Sequence, residues 1–128
     1  MGNGTAIGRV RGLGSAKEGV NHWWMQRVTA GGNVLLMLWF FISIARLPGY
    51  GHADILKWLS TPWTAVPLVL LVLNVFYHFR LGLQVVIEYY QHDAARVAAL
   101  IVLNIFTVGA GATAIFAILK IAFTGTAN

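Results

Sequence analysis

The chain has 128 residues, of which 10% are charged and 58% hydrophobic, with a formal net charge of +5 and a mean hydropathy of +0.70. Soluble domains average about 25% charged residues, so a soluble globular fold is excluded, and a chain this short holds one domain without a second, water-soluble one. The complete lack of cysteine excludes disulfides, thiolate clusters, covalently attached haem and a cysteine nucleophile in this polypeptide, so any metal is held by histidine or carboxylate or belongs to a partner.

The first 27 residues are polar and rich in glycine, with no apolar h-region and no small-residue cleavage site. No removable signal peptide is expected, and the first span is its own insertion signal. Gly2 is not a myristoylation site, because position six is Ala6 where the motif requires Ser or Thr. Residues 1 to about 14 read as flexible. Ser15-Ala16-Lys17-Glu18 then offers a helix cap with acid in the first turn, opening an interfacial segment that runs into His22-Trp23-Trp24. Adjacent tryptophans suit the headgroup level, where the ring is buried and the N–H stays wet.

Charge-free windows run over Val28 to Ala45, Trp58 to Phe79 and Val97 to Leu119, and a spanning helix needs about 20 residues. The expected fold is therefore an all-α membrane bundle of three transmembrane helices: about 28–47, about 62–90 and about 94–121, after a cytoplasmic or interfacial N-terminus over 1–27. Pro48-Gly49-Tyr50-Gly51 breaks the chain after the first helix, and Tyr50 to Ser60 is expected along the outer surface. Pro62 and Pro67 fall near the start of the second helix, where a missing N–H costs least. That helix is roughly 43 Å long at 1.5 Å per residue, against a hydrocarbon core of about 30 Å, so its C-terminal end protrudes. In the third helix Gly109, Thr113 and Ala117 form a small-residue stripe, expected to be a packing face for a neighbouring helix.

The basic balance reads through topology. Nucleic-acid binding calls for a basic stripe on an RNA- or DNA-binding fold, and neither is present. Arg9, Arg11, Lys17 and Arg27 precede the first span and Arg96 sits in the turn between the second and third, whereas Arg46, Lys57 and Lys120 fall on the other side. The positive-inside rule then puts the N-terminus and the short turn in the cytoplasm, and the long loop and C-terminus outside.

His78 lies at the end of the second charge-free window, within roughly 10 Å of the inner boundary of the hydrocarbon. An ionisable ring at that depth is a functional-site candidate, because hydrocarbon offers it no water. Two readings are open. Imidazole is a common iron ligand and haem is the usual cofactor held between membrane helices; Gly82, one turn later on the same face, leaves room for a flat macrocycle. Alternatively, the ring is neutral and hydrogen-bonded across helices. The other histidines, His22, His52 and His92, lie outside the charge-free windows, so a second haem ligand would come from another chain. Arg27, at the cytoplasmic start of the first span, is either a positive-inside anchor or a bidentate partner for a haem propionate. Arg80, Gln84 and Glu88 form a polar stripe that reads as a solvated or partner-facing edge. Tyr89 and Tyr90 fit an interfacial tyrosine belt, and a phenol there is also able to donate to a quinone carbonyl.

Two stretches resemble the D-type hydrophobic membrane anchor subunit of succinate dehydrogenase (succinate:quinone oxidoreductase). The first is Gly12-Leu13-Gly14-Ser15-Ala16-Lys17-Glu18-Gly19 followed by His22-Trp23-Trp24-Met25-Gln26-Arg27-Val28-Thr29-Ala30, similar to the bacterial form in particular. The second runs from His78 to His92, with the family's His, Gly four residues on, a Gln-Val-Val segment and a Tyr near the end. The resemblance implies that His78 is an axial ligand of haem b, that Arg27 stands near the propionates and that Tyr90 hydrogen-bonds ubiquinone. It also implies that the opposite haem ligand comes from a C-type cytochrome b anchor subunit. The family usually has Asp immediately before the quinone tyrosine; this chain has Tyr89, which leaves a proton-delivery role at that position without its carboxylate.

The resulting expectation is a non-catalytic anchor of complex II, in a bacterial inner membrane, that shares haem b with its partner and helps to form the ubiquinone pocket. A flavoprotein would oxidise succinate, an iron–sulfur subunit would carry the electrons, and the anchor would position quinone and stabilise negative charge on its oxygens. A small cytochrome b subunit of another dehydrogenase and a haem-free structural membrane protein are the competing readings. From the charge distribution, a reporter fused after Asn128 is expected to report the periplasm; a cytoplasmic signal would overturn the span count or its direction.

Overall fold

In the computed structural model, which describes residues 5–7 and 17–125, the chain is built from helices, with no strand among the described residues. Helix α1 spans Lys17–Ala45, α2 His52–Leu59, α3 Pro62–Tyr90 and α4 Asp93–Thr124. The three long helices are each long and apolar enough to cross a membrane, and the short α2 lies in the connection between the first two. The cap expected at Ser15 and the flexible stretch before it fall outside the described residues, apart from Thr5 to Ile7. Helix α1 begins at Lys17, so His22, Trp23 and Trp24 are part of the same continuous helix as the first charge-free window.

Local chemistry sets the ends. Pro62 occupies the first turn of α3, where its missing N–H is an orphan in any helix; the neighbouring N–H groups of Thr64 and Ala65 both donate to Thr61 O at 2.9 Å. Between α3 and α4 stand only Gln91 and His92, and Asp93 takes a left-handed φ of 50° to make the reversal, a conformation Asp tolerates better than most side chains. Helix α4 ends on Gly125 at φ 67°, whose N–H closes the last turn on Ile121 O.

Helix α3 is the middle of a row. It packs against α1 on one side and α4 on the other, and those two do not pack against each other. Its sequence alternates accordingly. Asn74 meets α1 and Arg80 meets α4, while Phe76 lies opposite Gly111 of α4. Two residues are about 200° of helical rotation, which turns Phe76 away from Asn74, and Arg80 away from His78, toward the opposite neighbour. Ala65, Leu68, Leu71 and Ile118 form the apolar core, with Leu36, Met37, Trp39, Phe40 and Leu59 packed around it. That core sits toward the α2 end of the row. Trp58 of α2 is tied to α1 there, through Nε1–H donating to Ser43 Oγ at 2.9 Å and through its ring against Phe40.

The outer surface is apolar: Leu35, Val108, Phe116 and Phe123 are among many large side chains left exposed, as suits a chain whose solvent is lipid. The small-residue stripe does not pack against another described helix of this chain. Gly109, Thr113 and Ala117 are exposed, with the Thr113 hydroxyl donating back to Gly109 O at 2.8 Å. The stripe that meets α3 is instead Leu103, Thr107, Gly111 and Ile118, on the other side of α4.

Gly32 of α1 lies directly against Asn74 of α3. A Cβ there would lie 2.9 Å from Asn74 Nδ2, and Asn74 is not free to yield: Nδ2 donates to Thr29 O and to Asn33 Oδ1, both at 2.7 Å. Gly32→Ala is therefore expected to destabilise the α1–α3 pair by about 1–3 kcal/mol through overpacking, and Asn74→Ala by about 1 kcal/mol through the lost interhelical bonds. In thermal unfolding of the detergent-solubilised complex, the double variant should cost clearly less than the sum; strict additivity would show that the clash is not with Asn74.

Candidate functional site

The polar groups of the membrane interior gather at the end of the row opposite the apolar core, on the seam between α1 and α3. Thr29 is 5% exposed. Its hydroxyl donates to Met25 O at 2.7 Å and shares that hydrogen with Gln26 O at 3.1 Å, as a helical Thr does. On its other side, Thr29 Oγ1 stands 2.9 Å from His78 Nδ1. With the single hydroxyl hydrogen directed at carbonyls, which only accept, the ring nitrogen is the donor in this contact. Asn74 and Asn33 extend the seam one turn further. His78 is half-buried; Nε2 has no hydrogen-bond partner among the described residues and is not enclosed by the chain. One turn away, a Cβ placed on Gly82 would meet nothing within 4 Å, so the surface beside the ring is open.

Arg27 is exposed and stacked on Trp23, its guanidinium carbon 3.8 Å from the ring centroid. It lies two residues from Thr29, hence within roughly 3 Å of His78's level along the helix but about 160° away around it. The stack occupies a face of the guanidinium plane and leaves edge N–H donors available to a carboxylate. Trp23 and Trp24 are themselves exposed and stacked at 6.1 Å. If that pair marks the headgroup level, His78 lies roughly 8 Å below it, five residues along α1 at 1.5 Å each.

Tyr89 and Tyr90 end α3 at 75% and 70% exposure, their rings edge-to-face with centroids 5.0 Å apart. Neither phenol hydroxyl has a hydrogen-bond partner among the described residues. From His78 to Tyr89 is close to three turns, so Tyr89 projects within roughly 20° of His78's face and Tyr90 about 120° away. The structure thus brings His78 and Arg27 to one level and leaves Tyr90 at the protruding end.

The stripe of Arg80, Gln84 and Glu88 is paired. Gln84 Nε2 donates to Glu88 Oε1 at 2.9 Å, and Arg80 Nε donates to Asn104 Oδ1 of α4. These side chains line a cleft of about 620 Å³ together with Gln26, Tyr77 and His22. His22 Nε2 is buried without a hydrogen-bond partner. Sequence reasoning assigned no role to Thr29, Asn74, Asn33 or His22. The signal present was polar residues at helical spacing inside or beside apolar windows, but their pairing across helices has no mark in the sequence.

The sequence profile of the family described as succinate dehydrogenase/fumarate reductase transmembrane subunit matches residues 1–119. The chain belongs to this family. It is 35% identical over 105 residues to the succinate dehydrogenase hydrophobic membrane anchor subunit of Rickettsia bellii (strain RML369-C), covering 80% of this chain and 82% of the relative. It is 33% identical over 109 residues to the protein of the same description from Paracoccus denitrificans, covering 85% and 84%. No solved structure matches. As a succinate dehydrogenase/fumarate reductase transmembrane subunit, the chain is a multi-pass membrane protein, and the three apolar helices and lipid-facing surface above are what such an anchor needs.

Proposed function

We propose that this subunit anchors a succinate:ubiquinone oxidoreductase in a bacterial inner membrane, with its N-terminus cytoplasmic, and that with a C-type cytochrome b subunit it holds haem b and forms part of the ubiquinone site. The observation that carries this reading is His78: an imidazole inside the bilayer with Nδ1 hydrogen-bonded and Nε2 without a partner among the described residues, beside an open surface at Gly82. A neutral histidine serving only as a helix tie would leave Nε2 unsatisfied in hydrocarbon, at a cost that a metal bond at that atom removes. The residues present therefore fit the group.

In this reading His78 Nε2 would bind the haem iron, and Arg27 would pair with a propionate through its free edge. Haem b, when bound, supplies a one-electron redox centre between the subunits. A second iron ligand would come from the C-type partner, because His22, His52 and His92 lie outside the charge-free windows. A flavoprotein and an iron–sulfur subunit, docked on the cytoplasmic side, deliver electrons from succinate. Tyr90, exposed at the protruding end of α3, donates its phenolic hydrogen to a ubiquinone carbonyl and stabilises negative charge on that oxygen as reduction proceeds. Tyr89 stands where the family usually has Asp, so this position offers a phenol in place of a carboxylate.

His78→Ala is expected to remove one axial ligand, turning the low-spin b spectrum of the purified complex high-spin or abolishing it. An unchanged low-spin spectrum overturns the assignment. Tyr90→Phe keeps the ring and removes a hydrogen bond worth about 0.5–1.5 kcal/mol, more as charge develops. Succinate:quinone activity should fall several-fold with the haem spectrum intact, and Tyr89→Phe should cost less. If Tyr89→Phe is the more damaging, the quinone donor is Tyr89.

A further inference from the structure

We infer that Thr29 is the positioning residue for the haem ligand: its hydroxyl fixes which nitrogen of His78 is free to bind iron, and sets how strongly that nitrogen donates. The inference rests on His78 being an axial ligand.

The direction of the hydrogen bonds decides the tautomer. Thr29 Oγ1 has one hydrogen, and it is committed to Met25 O at 2.7 Å and Gln26 O at 3.1 Å. What Oγ1 offers His78 Nδ1 at 2.9 Å is then a lone pair, so Nδ1 carries the proton and Nε2 carries the unprotonated lone pair that coordination requires. The opposite tautomer would set the Nδ1 lone pair against that of the hydroxyl oxygen. No other described residue makes this choice, since neither ring nitrogen of His78 has another hydrogen-bond partner among them.

The same bond fixes the ring plane. Thr29 is buried and β-branched, so its χ1 is stiff, and its hydroxyl is held by the turn of α1 below it. Asn74, one turn before His78 on α3, donates to the backbone carbonyl of Thr29 itself at 2.7 Å. Thr29 is thus gripped by α3 at two points a turn apart, and neither helix can rotate without releasing one of them. A ligating histidine that donates its second N–H to an oxygen becomes more basic at the metal-bound nitrogen, which favours the ferric state.

The test is made on the assembled complex in membranes and after purification. Thr29→Val keeps the volume and branching and removes the hydroxyl, and with it the acceptor for His78 Nδ1–H and the local bonds to Met25 O and Gln26 O. It is expected to raise the haem midpoint potential, to shift the EPR g-values of the low-spin ferric haem as the ring gains freedom to rotate, and to weaken haem retention roughly 10-fold or more. Thr29→Ser, which keeps a hydroxyl, should restore the wild-type potential. Should Val impair assembly, Thr29→Ala, which fits without any new contact, gives the same readings in membranes. His78→Ala in the same strain separates this inference from the reading beneath it. Loss of the low-spin haem in His78→Ala, with potential and g-values of Thr29→Val at wild-type values, overturns the role of Thr29 and leaves the ligand standing. A low-spin haem that survives His78→Ala overturns both.

Discussion

Hydrocarbon gives polar groups no water, so each side chain able to hydrogen-bond inside the bilayer must find a partner in protein or pay several kcal/mol. In this chain that constraint shapes one seam. Thr29, Asn33, Asn74 and His78 satisfy one another across α1 and α3, and Gly32 is bare because a side chain there would collide with Asn74. Thr107 and Thr113, away from the seam, instead return their hydroxyls to their own helix. The ring nitrogen of His78 that the seam does not hold is Nε2, which has no hydrogen-bond partner among the described residues. An unpaired acceptor at membrane depth is costly unless something outside the chain binds it, which is why the seam that holds the helices together also points to the function.

The row arrangement follows from α3 having a long helix packed on either side, while the other two spans, α1 and α4, do not pack against each other. A three-helix bundle closed on itself would bury His78 on all sides. Here α3 is flanked but not enclosed, and the broad apolar surface is left to lipid and to other subunits. Its length matters as well. At roughly 43 Å, α3 exceeds the hydrocarbon core by more than 10 Å, so one helix carries His78 within the bilayer and Tyr90 beyond it. In the proposed function the two differ in depth and by about 120° in direction, which lets one element serve haem and quinone without competition for space.

Charged groups mark the boundary between these two regions. Arg27 lies over Trp23, and Arg80 is held by Asn104 of α4 near the same end of the row. Both guanidiniums are weakly hydrated and planar, which suits them to a partly dry environment better than an ammonium. Arg80 anchors α4 to α3 where Asn74 and His78 anchor α1, so the polar end of the row is fastened on both sides of the central helix, while the opposite end relies on the apolar cluster and on Trp58.

The three spans were legible in the sequence because they depend on local composition: charge-free runs of sufficient length, broken by Pro48-Gly49 and by Gln91-His92. His78 was legible for the same reason, as an ionisable residue in an apolar run, and Arg27 and Tyr90 through the resemblance of the stretches around them. The contacts were not. A helix in lipid is apolar on every side, so hydrophobic periodicity does not reveal its inner face; Gly109, Thr113 and Ala117 looked like a packing stripe, yet Gly111 and Thr107 fill that role. Thr29 and His78 are 49 positions apart, and only the antiparallel packing of α1 on α3 brings the hydroxyl to the ring. Sequence alone determined that a histidine lies within the membrane. Tertiary structure decided which of its nitrogens is held and which is free, because a hydrogen bond between helices depends on their register and rotation, and neither is encoded in the composition of either helix.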